Sequence, residues 1–328
     1  MGAAGAQVVR RMFHPTFAVV DLEAARAWYR AVFSRPDVRW ADRYDISMLD
    51  VDYPKDYSFF MVVGDVVLDA LCPSMHAQGR LSGQDRYDLA DQRPIGLGWY
   101  VDDAVAAAAH LAGHGIRTHD QLGRRVEGGH VPVSAMAPDI LLFFSEPADT
   151  GLRYEFFQLA DRYVEYYSRK GDPRLRPDWR LPGAPPPDDP MTIIRGSHHT
   201  VLTRRPERAL RLYAEALGGT VLGTAPNPDL GTDSTYLMLA GSVFELGVPR
   251  PGSPYAGLVT DAADHYLGIT FLVADTGAAA AHLAAVGTAA HRDGAGAVVV
   301  APADGFGVQW RFARELPYLA PLGSEVMA

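Results

Sequence analysis

The sequence predicts an α+β protein of two tandem domains, each built from two βαβββ modules. An internal repeat and a Pro-rich break near the middle carry that reading. Residues 101–119 (VDDAVAAAAHLAGHGIRTH) align without a gap onto residues 273–291 (VADTGAAAAHLAAVGTAAH), sharing an AAAAHLA core and the same final His. Residues 14–33 (HPTFAVVDLEAARAWYRAVF) align in the same way onto residues 198–217 (HHTVLTRRPERALRLYAEAL). All four blocks follow one grammar: a short β-like run, an acidic or Pro-marked turn, then an Ala-rich helix. A length of 328 residues agrees with two domains.

In the first module, residues 15–20 read as a strand and Asp21 caps a helix through Phe33. Ala25, Trp28, Tyr29, Val32 and Phe33 recur on one face of that helix. Strand-like runs follow at 46–51, 58–63 and 66–71. The second module opens at 95–101, continues as a helix over 104–113, and ends in strands at 130–135, 140–145 and 153–158. The third opens at His198, enters its helix through Pro206, closes it at Gly218 and Gly219, and runs on through 236–240 and 243–248. The fourth opens at 267–273, carries a helix to 286–287, and closes with 297–300 and 308–312.

The first two modules, 9–75 and 93–160, make a domain over residues 1–160, and the last two make a domain over 191–316, followed by a tail at 317–328. Between them, 161–190 is a linker in which Pro173, Pro177, Pro182, Pro185, Pro186, Pro187 and Pro190 exclude regular structure. Its Tyr163, Tyr166, Tyr167 and Trp179 are available to dock it on a domain surface.

Composition narrows the function classes. Apolar content of 48% and charged content of 21% suit a soluble globular protein with sizeable cores. A formal charge of −9, with Lys and Arg scattered, gives no footprint for nucleic acid. Cys72 is the single cysteine, so neither an intrachain disulfide nor a Cys-based zinc site is available, and a cytoplasmic location is expected. No run is long and apolar enough for a membrane span, and the N-terminus lacks a signal-peptide core. The expected partner is a small molecule, with a homodimer as a further possibility.

Paired βαβββ units with this opening resemble the vicinal oxygen chelate superfamily, which includes glyoxalase I, methylmalonyl-CoA epimerase, extradiol dioxygenases and bleomycin- or fosfomycin-resistance proteins. The patch HPTFAVVDLEAARAWY, residues 14–29, carries the resemblance most specifically. It implies mixed sheets that curl into cups, with a divalent metal held by the first and last strands of two modules. Carried over residue by residue, the ligand positions of the first domain fall on His14, on Asp69 (in VVLDALCP), on Gly96 (in PIGLGWYV, where the family often has a His) and on Glu155 (in GLRYEFFQL). In the second domain they fall on His198, Glu245, Gly268 and Arg311.

One imidazole with two carboxylates suits a Lewis-acid site with open positions, and Fe, Mn, Ni, Zn and Mg are all compatible with it. It is not the 2-His-1-carboxylate triad of the ring-cleaving dioxygenases. In the second domain a guanidinium at about 4 Å would repel a cation by roughly 4 kcal/mol per unit charge at an effective dielectric of 20. That domain therefore reads as a degenerate copy, whose Arg311 holds an anionic substrate or pairs with Glu245.

The expected centre thus consists of His14, Asp69 and Glu155 as metal ligands, with Glu155 and His14 catalytic. His198, Glu245 and His130 are alternative ligands; His130, after Gly128 and Gly129, is placed to replace the imidazole missing at Gly96. His199 takes the inward position instead of His198 if the register slips by one residue. Phe17, Trp99, Tyr154 and Phe156, on sheet strands, are expected to line a pocket for a hydrophobic or aromatic molecule. His110 and His282, at matching helix positions, read as shared packing, and His119 and His291 as loop residues. Two functions follow: a metal-dependent enzyme of lyase, isomerase or ring-opening type, or a metal-free binding or resistance protein. Sequential pairing of the modules is favoured over pairing of the outer with the outer and the inner with the inner.

Overall fold

The computed structural model describes residues 8–50, 52–77 and 93–316. Two eight-stranded mixed sheets organise it. The first contains β1 (Arg11–Ala18), β2 (Asp37–Arg39), β3 (Ser58–Val63), β4 (Val66–Leu71), β5 (Arg93–Tyr100), β6 (Thr118–Asp120), β7 (Leu141–Ser145) and β8 (Tyr154–Gln158), in the order β2-β3-β4-β1-β5-β8-β7-β6. The second contains β9 (Ile193–Leu202), β10 (Thr220–Asn227), β11 (Thr232–Leu239), β12 (Ser242–Pro249), β13 (His265–Val273), β14 (His291–Arg292), β15 (Val298–Val300) and β16 (Gln309–Ala313), in the matching order β10-β11-β12-β9-β13-β16-β15-β14. In each sheet the opening strands of two consecutive modules run antiparallel side by side, β1 with β5 and β9 with β13. The modules are therefore paired sequentially.

The helices form where the repeat places them. Asp21 accepts from the backbone of Ala24 at the start of Leu22–Phe33, and Asp103 and Asp275 do the same for Ala104–Gly113 and Thr276–Ala285. The third module's helix starts at Pro206 and widens into a π-helical stretch over Arg211–Ala216 before Gly218 takes a positive φ of 78°.

Three expected stretches differ. Residues 46–51 contain a 3₁₀ turn, Ile46–Met48, instead of a strand, and Asp37–Arg39 serves as the second strand of that module. Asp45 Oδ1 accepts from the Ser47 amide at 3.1 Å and Asp50 Oδ1 from the Asp52 amide at 2.9 Å, local turns that displace ladder bonds. Residues 130–135 form a loop, since Pro132 removes a ladder donor, and the short strand Thr118–Asp120 pairs with β7 instead. The linker opens with a helix, Asp161–Lys170, because its first proline comes only at Pro173. Tyr163 and Tyr167 of this helix are buried against the first sheet, and Trp179 receives the Arg11 guanidinium at 4.7 Å from its ring centre. The tail 317–328 lies outside the described residues.

One hydrophobic core runs through both domains. β5 lies against β13, so the two sheets pack back to back. Phe17 meets Trp310 edge-on at 5.3 Å, Phe33 meets Phe271 at 5.8 Å, and Trp99 meets Phe244 at 6.0 Å, each pair crossing between domains. Burying such a ring contributes on the order of 2–3 kcal/mol. The mirrored histidines fasten the same interface: His110 Nε2 lies 2.9 Å from the Ala216 carbonyl, and His282 Nε2 lies 2.9 Å from the Ala31 carbonyl. Their identical sequence setting therefore reflects packing.

Back-to-back packing turns both concave faces outward, and two glycines set the strand spacing there. A Cβ at Gly96 would stand 2.9 Å from the Arg153 carbonyl oxygen, and one at Gly268 would collide with the Gln309 carbonyl. A histidine at either position needs the neighbouring strand to move. Gly268→Ala is expected to destabilise the protein by at least about 2 kcal/mol in urea unfolding, whereas Gly183→Ala, with nothing within 4 Å of its Cβ, should change it by less than about 0.5 kcal/mol. Equal midpoints for the two variants would contradict this strand contact.

Candidate functional sites in the two cups

The first cup is aligned by strand register. Thr16 stands opposite Asp69 on β4 and opposite Gly96 on β5, while Glu155 pairs with Gly98 one row away. A register shift in β1 between Met12 and Pro15 turns both Phe13 and His14 toward the cup. His14, Asp69 and Glu155 thus line one cavity of about 60 Å³. His14 Nδ1 is 3.0 Å from Thr16 Oγ1 and 3.8 Å from Asp69 Oδ2. Among the described residues no three His, Cys, Asp or Glu side chains converge closely enough to hold an ion as they stand.

An arginine that the sequence reading did not single out dominates the electrostatics of this cup. Arg43, on the turn Trp40–Arg43, is fully buried, with its guanidinium 3.3 Å from the centre of the Phe60 ring and 4.5 Å from that of Tyr167. It donates through Nη2 to the Tyr167 hydroxyl, while Nε and Nη1 have no hydrogen-bond partner among the described residues. Burial pushes the Asp69 carboxyl up to about 8 and the Glu155 carboxyl up to about 7; the charge of Arg43 partly offsets the first shift, and the charges of Arg153 and then Arg43 partly offset the second. Burial, reinforced by the charges of Arg43 and Arg174, drives His14 well below its ordinary value and keeps the ring neutral. Nothing in hydrophobic periodicity marks Arg43, which sits on an irregular connection.

The aromatic expectation needs correction. Phe17, Trp99, Tyr154 and Phe156 lie in the core between the domains, away from the cup, and Tyr154 shares a 3.1 Å hydroxyl contact with Tyr213 of the second domain. Strand alternation explains it: pointing Glu155 into the cup sends Tyr154 and Phe156 to the opposite face. The cup is lined instead by Phe13, Trp40, Tyr44, Phe60 and Phe157. His130 stays on its loop, 3.0 Å from Asp120 Oδ2. His119, expected in a loop, is buried on β6 with Nδ1 2.9 Å from Glu146 Oε1.

The second cup repeats the register with different chemistry. Thr200 stands opposite Glu245 and Gly268, and Thr270 stands opposite His198 and Arg311. His198 faces this cup, and His199 points to the domain interface, 2.8 Å from the Tyr266 hydroxyl. Glu245 Oε1 accepts from Asn227, Ser234 and Tyr236 at 2.8, 2.7 and 3.2 Å, and its Oε2 accepts from Thr200 at 3.0 Å and lies 3.5 Å from His198 Nε2. These contacts leave Glu245 ill suited to a metal. Arg311 pairs with Asp293, Nε to Oδ2 at 2.6 Å, and not with Glu245.

Burial alone would raise the Glu245 carboxyl, but its contacts with His198, Asn227 and Ser234 outweigh burial and hold it at about 2. Its folded value lies below the unfolded one, so its contribution is fully present above pH of about 4.5 and is lost as the pH falls toward 2. Glu245→Gln is therefore expected to cost about 3 kcal/mol at pH 7 and progressively less toward pH 3. Urea midpoints across that range test it, and a penalty independent of pH would contradict the ionised network.

The family described as Glyoxalase/Bleomycin resistance protein/Dioxygenase superfamily matches residues 195–312. No curated protein matches the chain. Among solved structures, the Mn(II)-bound glyoxalase from Novosphingobium aromaticivorans aligns over 95% of this chain and 84% of its own, with 14% identity and a TM-score of 0.51. The 2,3-dioxygenase LapB from Pseudomonas sp. KL28 aligns over 96% of this chain and 95% of its own, with 12% identity and a TM-score of 0.52. A homoprotocatechuate 2,3-dioxygenase variant from B. fuscum aligns over 98% of this chain and 74% of its own, with 15% identity and a TM-score of 0.50. At such identities the structures speak for the fold alone. No helix among the described residues is long and apolar enough to cross a membrane. The family match covers the second domain, residues 195–312, and the first domain repeats the same paired-module sheet, so the whole chain shares the fold of these glyoxalases and dioxygenases, with four modules in two eight-stranded sheets.

Proposed function

We propose that the chain is a divalent-metal-using enzyme that acts in its first cup on an oxygenated, hydrophobic or aromatic small molecule, by lyase, isomerase or ring-opening chemistry. One observation carries the reading: His14, Asp69 and Glu155, from the first and last strands of two modules, face a single cavity in which the buried Asp69 Oδ1 has no hydrogen-bond partner among the described residues. The donor set suits the group, since a neutral imidazole and two carboxylates are ordinary ligands of Mn, Fe, Ni and Zn. When bound, such an ion polarises a substrate oxygen and stabilises the anion formed beside it.

The chain's own residues supply the rest. Thr16, 3.0 Å from His14 Nδ1, orients the imidazole. Glu155, on the last strand, is the base that removes a substrate proton. Phe13, Phe60 and Phe157 give the apolar walls that an aromatic ligand requires, and the helix Asp161–Lys170 packs Tyr163 and Tyr167 into the same apolar cluster.

Arg43 favours a second reading, a metal-free binding or sequestration protein, because its guanidinium already supplies a cation to both carboxylates. Metal analysis of protein purified without a His-tag, followed by calorimetric titration of EDTA-treated protein with Mn(II), separates the two. The enzyme reading expects about one ion per chain, with affinity lowered at least about tenfold in His14→Ala and Glu155→Ala and raised in Arg43→Ala. If neither the natural protein nor Arg43→Ala shows saturable Mn(II) binding, the cup belongs to the second reading.

A further inference from the structure

The second cup, whose Glu245 is held by its own hydrogen-bond donors, keeps a cavity of about 140 Å³, larger than that of the first. Arg311, at the position that Glu155 holds in the first domain, faces it from β16. The residue is only 8% exposed, and its Nη1 and Nη2 are buried without a hydrogen-bond partner among the described residues. Asp293 engages Nε alone, which fixes the plane of the guanidinium and leaves its far edge open. That edge is a planar two-donor fork whose spacing matches the two oxygens of a carboxylate. Buried donors of this kind are normally satisfied, so an open fork in a cavity marks the place of a missing acceptor.

Glu245, on the cavity wall, does not compete for the fork. Both oxygens of Glu245 are engaged by their own donors. Beside Arg311, in the same row across β13, the Thr270 hydroxyl lies 3.2 Å from His198 Nε2, and burial holds His198 below its ordinary value, as a neutral ring. A hydroxyl and a neutral imidazole together offer a donor to an oxygen next to the carboxylate. The volume, about 140 Å³, is close to that of a cavity that takes a molecule of benzene size and suits a ligand of about six heavy atoms.

We propose that the second domain's cup binds a small monocarboxylate bearing an oxygen on the adjacent carbon, with the carboxylate across Nη1 and Nη2 of Arg311 and the second oxygen toward Thr270 and His198. The site is separate from the first cup and does not depend on a metal there.

The test is isothermal titration calorimetry of the full chain in a chloride-free buffer, with sodium pyruvate, sodium acetate and inorganic phosphate as probes, with and without Mn(II). Saturable pyruvate binding, tighter than acetate and indifferent to Mn(II), is the expected result. The double variant Arg311→Gln/Asp293→Asn removes the charge pair together and should weaken pyruvate at least about tenfold, with circular dichroism confirming the fold. Thr270→Val retains the fork and should lower pyruvate affinity more than acetate affinity. The proposal is overturned if the natural protein shows no saturable pyruvate or acetate binding up to about 10 mM. It is equally overturned if the folded double variant binds pyruvate as the natural protein does, or if phosphate binds more tightly than both carboxylates. Mn(II)-independent binding here, alongside failed Mn(II) binding in the first cup, would leave this site standing while removing the metal reading.

Discussion

The structure depends on the aromatic contact between its two sheets. Trp310 of the second domain packs against Phe17, Tyr29 and Phe33 of the first, and Trp99 of the first packs against Tyr213 and Phe244 of the second. Because each sheet commits its convex face to this shared core, the concave faces must open outward on opposite sides. Two cups follow from one packing decision. The repeated Ala-rich helices fit beside the core since small residues allow close approach, and His110 and His282 join each domain to the end of the other's first-strand helix.

Both cups face the same electrostatic problem, acidic groups buried on the last strands of their modules, and they solve it differently. In the first, Asp69 and Glu155 have few hydrogen-bond donors, so burial raises both, and the compensation comes from the charge of Arg43 at Asp69 and from those of Arg153 and Arg43 at Glu155. In the second, Glu245 is surrounded by hydroxyl and amide donors and stays ionised. A carboxylate without donors is poised for a cation or a proton, whereas a carboxylate with a full set is structural. The same distinction applies to the arginines. Arg174 spends its nitrogens on Asp172 and on the carbonyls of Phe13 and Asp65, while Arg311 keeps two of its nitrogens for the cavity.

Gene-level repetition thus preserved geometry and released chemistry. Thr16 and Thr200, Gly96 and Gly268, and Asp69 and Glu245 hold matching rows. Glu155 and Arg311 hold matching rows with opposite charge. The two glycines persist because adjacent parallel strands come too close for a side chain, and that closeness also denies either cup a second imidazole at this position.

The module count, the long strands and the Asp-capped helices are legible in the residues alone, whereas the cup positions of His14, Asp69, Glu155, His198 and Arg311 are expected from the superfamily resemblance, with His199 open as the alternative to His198. Periodicity, capping and an internal repeat are local signals, and a period of two fixes which residues share a face. The sequence did not settle the short strands, where Asx turns at Asp45 and Asp50 and the proline at Pro132 override weak β-propensity. Only the tertiary structure decided that Phe17, Trp99 and Tyr154 belong to the domain interface, for a strand's two faces look alike until a partner covers one. It also brought Arg43 and Tyr167, 124 residues apart, together beside the first cup, and set Asp293 against Arg311. Those pairings join irregular connections to distant elements, and no local pattern encodes a contact that exists only when the whole chain has folded.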